Sequence, residues 1–378
     1  MLDIYAGSNA LKTIQEHGFK QELFTNFLGA SGGPKWFTLF GLDKYLFGDF
    51  FKGRSTELNI IGSSAGAFRA ACFTQNDPVA AISQLADKYT HTIYTNKSNA
   101  ADISQSAVNM LEHLLDEQGI NQIMHNKIFK AHFIVAKSKG LTSYENKLVQ
   151  GCGLLASILL NKVNRRLLSC QYERYVYRPI SSKVKISDPY HFNTHYIDFT
   201  KENISNALLA SGSIPLVMAG IKDIANSPKG TYRDGGIIDY HFDFSLTQDS
   251  RLQNSLVKNS LIKSSIIKSN DRTFNETVGL TLYPHFNAAP KAGWFDKNSS
   301  RKVLNENYEN TVLLVPSARF IDSLPFKKIP DRKDFKNLST ETRINYWLTV
   351  LSQTDQLADS LNELIYHQDI SKIIPYQK

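Results

Sequence analysis

The sequence predicts an α/β protein: a mostly parallel central sheet covered on both faces, with a C-terminal helix packed on the core. Three observations carry this. Apolar runs of strand length recur along the chain, helical patterns separate them, and a glycine-flanked turn joins one such run directly to a helix.

In chain order, residues 23–30 (LFTNFLGA) read as a short buried strand ending in glycine, and residues 36–47 carry helical spacing directly after it. Residues 57–61 (ELNII) form a second strand. Residues 65–73 are small and helix-compatible, so 61–66 is a strand-to-helix turn. Asp77-Pro78 opens the next helix, because proline suits a first helical turn. Residues 132–136 (HFIVA), 195–199 (HYIDF), 277–283 and 311–315 read as further strands. Residues 245–275 are rich in Ser, Lys and Asn and read as a surface excursion or an amphipathic helix. Residues 316–334 hold Pro316, Pro325 and Pro330 among many charges and read as an extended connector. Residues 339–366 show one long helical pattern, opened by Ser339-Thr340-Glu341-Thr342. There is no internal repeat.

Composition narrows the function classes. The formal charge is +8 over 378 residues, but the lysines and arginines are scattered rather than massed in a stripe. That fits a solvated surface with a modest positive excess and gives no reason to expect a nucleic-acid partner. Cys72, Cys152 and Cys170 are odd in number and lack C-x-x-C spacing, against a disulfide framework and a zinc ribbon. A reducing compartment, the cytoplasm, is the expectation. The N-terminal stretch lacks the basic start and apolar core of a secretory signal. The longest apolar run, residues 151–160, is about half of what a membrane span needs. Leu2 and the ending PYQK offer no lipidation motif. Contact with a membrane would be peripheral.

The strongest chemical signal is Gly62-Ser63-Ser64-Ala65-Gly66, a G-x-S-x-G between a strand and a helix. A serine there sits on a tight turn at the sheet's carboxyl edge with its hydroxyl projecting, and small flanking residues avoid collision. Ser64 is the candidate nucleophile, because only it has glycine two places away on each side. The N-terminus of the following helix favours negative charge beside it. Upstream, Gly29-Ala30-Ser31-Gly32-Gly33-Pro34-Lys35-Trp36 joins a strand to a helix. Gly32 and Gly33 can turn their N–H groups toward a developing oxyanion, and Lys35 adds positive charge. A phosphate-cradling P-loop would need glycine at position 34 and Ser or Thr at position 36, and G-x-G-x-x-G is absent.

A base is needed. His241, His285 and His367 follow the elbow without distinguishing context. Tyr232-Arg233-Asp234-Gly235-Gly236 offers a carboxylate at a loop tip. Asp234 is there either a base that takes the serine proton directly or the tip of an ordinary Asp-Gly turn.

In order along the chain stand S-G-G-P-K, G-S-S-A-G, the block Ala210-Ser211-Gly212-Ser213-Ile214-Pro215, and D-G-G. This order resembles the patatin-like phospholipases, over roughly residues 23 to 240. That family's oxyanion loop is written G-G-G-x-[RK]-G, its third block A-S-x-x-x-P, and its aspartate lies in D-G-[GA]. Here Ser31 replaces the loop's first glycine and Trp36 its last. The resemblance implies a three-layer α/β/α fold and acyl-ester hydrolysis of phospholipids or neutral lipids by a Ser–Asp dyad. It makes Ser64 the nucleophile, Asp234 the base, and Gly32 and Gly33 the oxyanion donors. Lys35, Gly62, Gly66 and Gly235 support them, and no metal or cofactor is needed. The prolines and charges of 316–334 and the helical pattern after them divide the chain into a patatin-like catalytic domain, 1–315, and a connector with a C-terminal helical extension, 316–378, in the same globule.

Two alternatives stand beside this. One is a carboxylesterase or acyltransferase on the same site; the other is a lipid-binding regulatory protein without turnover. His191 and His195 have the spacing of two metal ligands on a helix, but no third ligand accompanies them, so they read as structural or surface residues. Asp239, His241 and Asp243 alternate as on one polar strand face near the sheet edge, or as residues that hold a cation or shape the pocket behind Asp234. Residues 151–168 join an apolar stretch to Lys162, Arg165 and Arg166. They read as a core helix with a basic outer end, or as a helix lying on an anionic membrane.

Overall fold

Alternation along the strands sorts side chains into separate cores on the two faces of one sheet. Ile60, Phe133, Val135, Leu282 and Leu314 enter one core. Their neighbours Ile61, Ile134, Tyr283 and Leu313 enter the other. In the computed structural model, which describes residues 1–94, 99–248 and 279–376, the strands run in chain order. They are β1 (Leu2–Ala6), β2 (Phe24–Gly29), β3 (Leu58–Ser63), β4 (Phe129–Ser138), β5 (Tyr172–Arg178), β6 (Val184–Ser187), β7 (Thr194–Asp198), β8 (Ile221–Lys222), β9 (Thr231–Asp234), β10 (Ser245–Gln248), β11 (Leu280–Pro284), β12 (Thr311–Pro316) and β13 (Ile373–Pro375). The main sheet has the order β13-β1-β12-β11-β2-β3-β4-β5-β7. Its centre, from β12 to β4, is parallel. Antiparallel neighbours flank that centre, β1 against β12 and β5 against β4. β9 pairs antiparallel with the carboxyl half of β4, and β6 and β10 form a separate ribbon.

The helices are α1 (Ser8–His17), α2 (Phe40–Tyr45), α3 (Ala65–Phe73), α4 (Pro78–Thr90), α5 (Ala100–Leu114), α6 (Glu117–His125), α7 (Lys147–Val163) and α8 (Ile204–Gly212), followed by Ala318–Ser323, Asp334–Asn337, Thr340–Gln353 and Asp355–His367. The chain is thus an α/β protein with a largely parallel central sheet flanked by helices. Asp77 caps α4 by accepting the Ala80 N–H at 2.9 Å, which is why Asp-Pro marks its start. Ala67 of α3, Ile82 of α4, Leu208 of α8, and Trp347 and Leu357 of the last two helices share the first core. The second core draws on aromatic residues of irregular segments, among them Phe242, Phe286 and Tyr308.

Several expectations change in detail. The helix expected over residues 36–47 begins as a tight 3-10 turn, Gly33–Leu39, continues as α2, and ends in a wider π turn, Leu46–Phe50. The expected single C-terminal helix is two, parted at Thr354. That threonine's hydroxyl accepts the Gly41 N–H at 2.9 Å and donates to the Leu351 carbonyl at 2.7 Å. A contact from α2 therefore competes with the helix's own ladder there. The connector 316–334 contains the helix Ala318–Ser323 and folds onto the body rather than running extended. Of the residues expected as a surface excursion or helix, 245–248 form β10, and 249–275 lie outside the described residues. Residues 277–278 of the strand expected at 277–283 lie outside them too.

Asp239, His241 and Asp243 do not share a strand face. Arg174 grips Asp239 through two bonds of 2.6 and 2.8 Å. Asp243 accepts from Tyr190 and Asn307, and the His241 ring accepts the Lys291 N–H. Separate buried partners, with Phe242 at a positive φ of 62°, turn this stretch out of any sheet. At the basic end of residues 151–168, Lys162 and Arg166 are exposed as expected, and Arg165 is not. Past α7 the chain forms a 3-10 turn, and Arg165 is buried against Asp296 at 3.2 Å. The outer face of α7 is otherwise apolar: Leu148, Leu155, Ile158, Leu159 and Val163 are all exposed. Among the described residues, no helix is long and apolar enough to cross a membrane.

Candidate active site

β3 ends on Ser63 and α3 begins on Ala65, so Ser64 alone makes the turn between them. It does so at φ 54°, ψ −125°, a region that costs a non-glycine residue roughly 1–3 kcal/mol and persists only where neighbours hold it. The glycines around it let three backbones meet. A side chain on Gly62 would strike the Gly66 carbonyl, and one on Gly66 would strike the Gly29 carbonyl of β2. Arg69, one turn along α3, is buried with Asp43 of α2, its Nε donating to Oδ2 at 2.8 Å. This pair fixes the elbow's helix to its neighbour.

Ser64 Oγ donates to Asp234 Oδ2 at 2.7 Å, across 170 positions of sequence. β9 delivers the aspartate. Paired antiparallel with β4, it sets Asp234 opposite Val135, beside the carboxyl end of β3. The other carboxylate oxygen accepts the Gly236 N–H at 2.7 Å, which fixes the rotamer. Gly235 must lack a side chain, because one there would meet the Ile134 carbonyl and, at 2.8 Å, the Ser63 hydroxyl. Burial raises the Asp234 pKa; the Ser64 hydroxyl, Arg332, the Gly236 N–H and Lys297 oppose that rise.

The Ala210 to Pro215 block is the clamp for both residues. Ser211 Oγ accepts the Ser64 N–H at 3.0 Å and donates to the Ile134 carbonyl at 2.8 Å. The Ser213 carbonyl accepts the Asp234 N–H at 3.0 Å. With its own N–H engaged by Ser211, Ser64 cannot serve as an oxyanion donor.

Ser31 ties the glycine loop to the elbow: its hydroxyl donates toward the Ser63 carbonyl at 3.1 Å, and its N–H bonds the Tyr240 carbonyl. Gly33, at φ 57°, lines the same cavity as Ser64 and Ala65. Gly32 precedes it, with Phe286 against its Cα face. Neither glycine N–H joins the backbone hydrogen bonds among the described residues, and the Ala65 N–H opens α3 unpaired. Lys35 is turned aside, 3.4 Å from Asp331. Trp36, in place of the loop glycine, is buried and walls the cavity. Its bulk fits because the chain enters the helix through a 3-10 turn.

That cavity has a volume of about 560 Å³ and is lined mostly by apolar side chains, including Trp36, Phe68, Leu85, Met110, Leu209 and Val217. No family model matches the chain, and no curated protein gives a significant match to it. No histidine lines the cavity or the smaller recess beside Asp234. His241 is buried against His285, with ring centroids 4.3 Å apart. His195 stacks on Tyr175, and His191 is an exposed turn residue. Among the described residues, no group of three or more His, Cys, Asp or Glu could hold a metal.

Sequence reasoning missed two cations. Arg332, in the supposed connector, reaches both the cavity and the recess, and Lys297 lines the recess. Neither carries a local motif. Chain reversal over many residues brings them to the dyad, and no periodicity records that.

Proposed function

We propose that this chain is a serine acyl hydrolase of the patatin-like kind, with the three-layer architecture of that family, acting on fatty-acyl esters of lipids through a Ser64–Asp234 dyad. The observation that carries it is the 2.7 Å hydrogen bond between the buried Ser64 hydroxyl and the buried Asp234 carboxylate at the wall of an apolar cavity large enough for an acyl chain. Asp234 takes the hydroxyl proton as Ser64 Oγ bonds the ester carbonyl carbon. Gly32, Gly33 and Ala65 N–H groups steady the oxyanion. The tetrahedral species collapses, the alcohol leaves with the proton from Asp234, and an acyl-Ser64 remains. Water then attacks, gives its proton to Asp234, and releases the fatty acid as Ser64 Oγ recovers a proton.

Peripheral contact with an anionic lipid surface accompanies this reading. α7 carries no acidic residue, and its exposed aliphatic face lies between Lys147 and Lys162. The Leu216 N–H bonds Gln150 of α7 at 2.7 Å, so the helix adjoins the cavity lip formed by Val217 and Met218. Three free cysteines, two of them exposed, suit a reducing compartment such as the cytoplasm.

Ser64→Ala is expected to abolish hydrolysis of a chromogenic ester and labelling by a fluorophosphonate while circular dichroism stays unchanged. Wild-type turnover by that variant overturns the assignment. A wild-type protein that neither hydrolyses esters nor takes the label would be a lipid-binding protein without turnover.

A further inference from the structure

Ser64 borders two spaces of very different size. One is the apolar cavity of about 560 Å³. The other is a recess of about 10 Å³ beside Asp234, walled by Asp234, Tyr240, Trp294, Lys297 and Arg332. That is about the space of one water-sized sphere, too small for an acyl chain or for an alcohol larger than water.

A water stays in so small a space only where about two to four polar groups bond it. The recess brings them together. Asp234 and Ser64 line it from the dyad. Lys297 follows the turn Trp294–Asp296, and its Nζ lies 4.1 Å from the Tyr240 ring centre and 5.4 Å from that of Trp294. Ring contacts of this kind consume no hydrogen-bond donor. Among the described residues, neither Lys297 Nζ nor the Arg332 guanidinium makes a hydrogen bond or an ion pair. Nearby acids are engaged elsewhere: Asp331 pairs with Lys35, and Asp296 with Arg165 and Arg301. Burial and the repulsion of Arg332 lower the Lys297 pKa to about 7, while Asp234 pulls the other way. In either protonation state Nζ keeps N–H bonds to give. Arg332 lines both spaces and so stands at their boundary.

We propose that the recess holds the water that deacylates Ser64, with Lys297 as its donor and Arg332 closing the recess toward the cavity. This rests on the acyl-Ser64 reading. Once Ser64 Oγ is esterified it no longer donates to Asp234 Oδ2. The water gives one O–H to that oxygen, accepts from Lys297 on one lone pair, and turns the other toward the acyl carbon. Its proton passes to Asp234 as the new O–C bond forms. The tetrahedral species then breaks its bond to Ser64 Oγ, which takes the proton back from Asp234, and the fatty acid leaves.

The test separates the two steps. With full-length protein and p-nitrophenyl decanoate in stopped flow, the burst reads acylation and the steady rate reads deacylation. Lys297→Met should lower the steady rate about tenfold or more, change the burst far less, and let decanoyl-Ser64 accumulate in intact-protein mass spectra. In dilute methanol the ratio of methyl decanoate to decanoic acid should rise by a like factor, because methanol is too large for the recess and does not depend on it. Lys297→Gln loses the charge but keeps a donor, and should retain much of the wild-type ratio. Loss of charge alone weakens Asp234 as a base in both steps, and a misfolded fraction removes both alike, so neither moves the ratio. A ratio unchanged in Lys297→Met, or shifted as far in Lys297→Gln, overturns the water site and leaves the dyad standing. Wild-type protein that neither forms decanoyl-Ser64 nor turns over overturns both.

Discussion

Ser211→Ala tests the clamp on the nucleophile. Ser211 is fully buried, and its hydroxyl is the acceptor for the Ser64 N–H at 3.0 Å. Alanine leaves that N–H orphaned in a dry site at about 1–3 kcal/mol. The Ile134 carbonyl also loses a donor, but as a strand carbonyl with a second lone pair it suffers less. For 378 residues, unfolding entropy near 2.1 cal/mol/K per residue gives a fall in Tm of about 1–4 °C. The larger effect falls on kcat. Ser64 is held at φ 54°, and without its anchor the turn can relax toward unstrained backbone. A shift approaching 1 Å costs on the order of a hundredfold. KM should change little, because the apolar cavity is untouched. Ser213→Ala is the control: among the described residues its hydroxyl bonds only the Leu209 carbonyl of the helix it caps, and its backbone hold on Asp234 survives. Steady-state kinetics on a soluble ester, with calorimetric melting of both variants, decide the matter. Wild-type kcat in Ser211→Ala, or equal losses in both variants, would refute the clamp.

Other outcomes follow from the same geometry. Only ionised Asp234 can take the Ser64 proton, and burial raises its pKa, so the acid limb of kcat/KM should lie above the ordinary carboxylate range. Arg332→Gln, which removes a charge favouring the carboxylate, should move that limb further up. Because the folded pKa exceeds the unfolded one, the carboxylate's stability cost is absent below the unfolded pKa and grows as pH rises through the window between the two. Asp234→Asn should therefore lose activity yet melt higher at pH 7; a lower Tm would contradict the burial argument. Arg69→Met strands Asp43, buried at 0% side-chain exposure, and should cost about 3–5 kcal/mol in urea unfolding, with most of it regained in Asp43→Leu/Arg69→Met. Leu155→Glu/Leu159→Glu on α7 should abolish flotation of Ser64→Ala protein with anionic vesicles while leaving it monodisperse; unchanged flotation, or dissociation of a dimer by the same change, would assign that face to another partner.

What the sequence by itself determined is local. The elbow was legible because a strand, a serine and a helix within a dozen residues leave their pattern in apolar spacing and in glycines that cannot bear a side chain. The cap at Asp77 and the parallel centre of the sheet were legible for the same reason. Asp234 was visible as a loop aspartate, yet its spacing alone did not distinguish a base from a turn. Only the antiparallel pairing of β9 with β4 brings it to Ser64, since a hydrogen bond spanning 170 positions leaves no local periodicity. The Ser211 block was visible as a pattern, and its mechanical meaning appears only once α8 packs beneath the elbow. Tertiary contacts also overrode local pattern outright. Gly41 splits the C-terminal helix at Thr354, Asp296 draws Arg165 inward, and Arg174 pulls Asp239 out of strand geometry. The two cations at the dyad come from segments whose charges looked like ordinary solvated surface. A charge's role depends on which groups surround it after folding, and that is set by the packing of distant segments rather than by its neighbours in the chain.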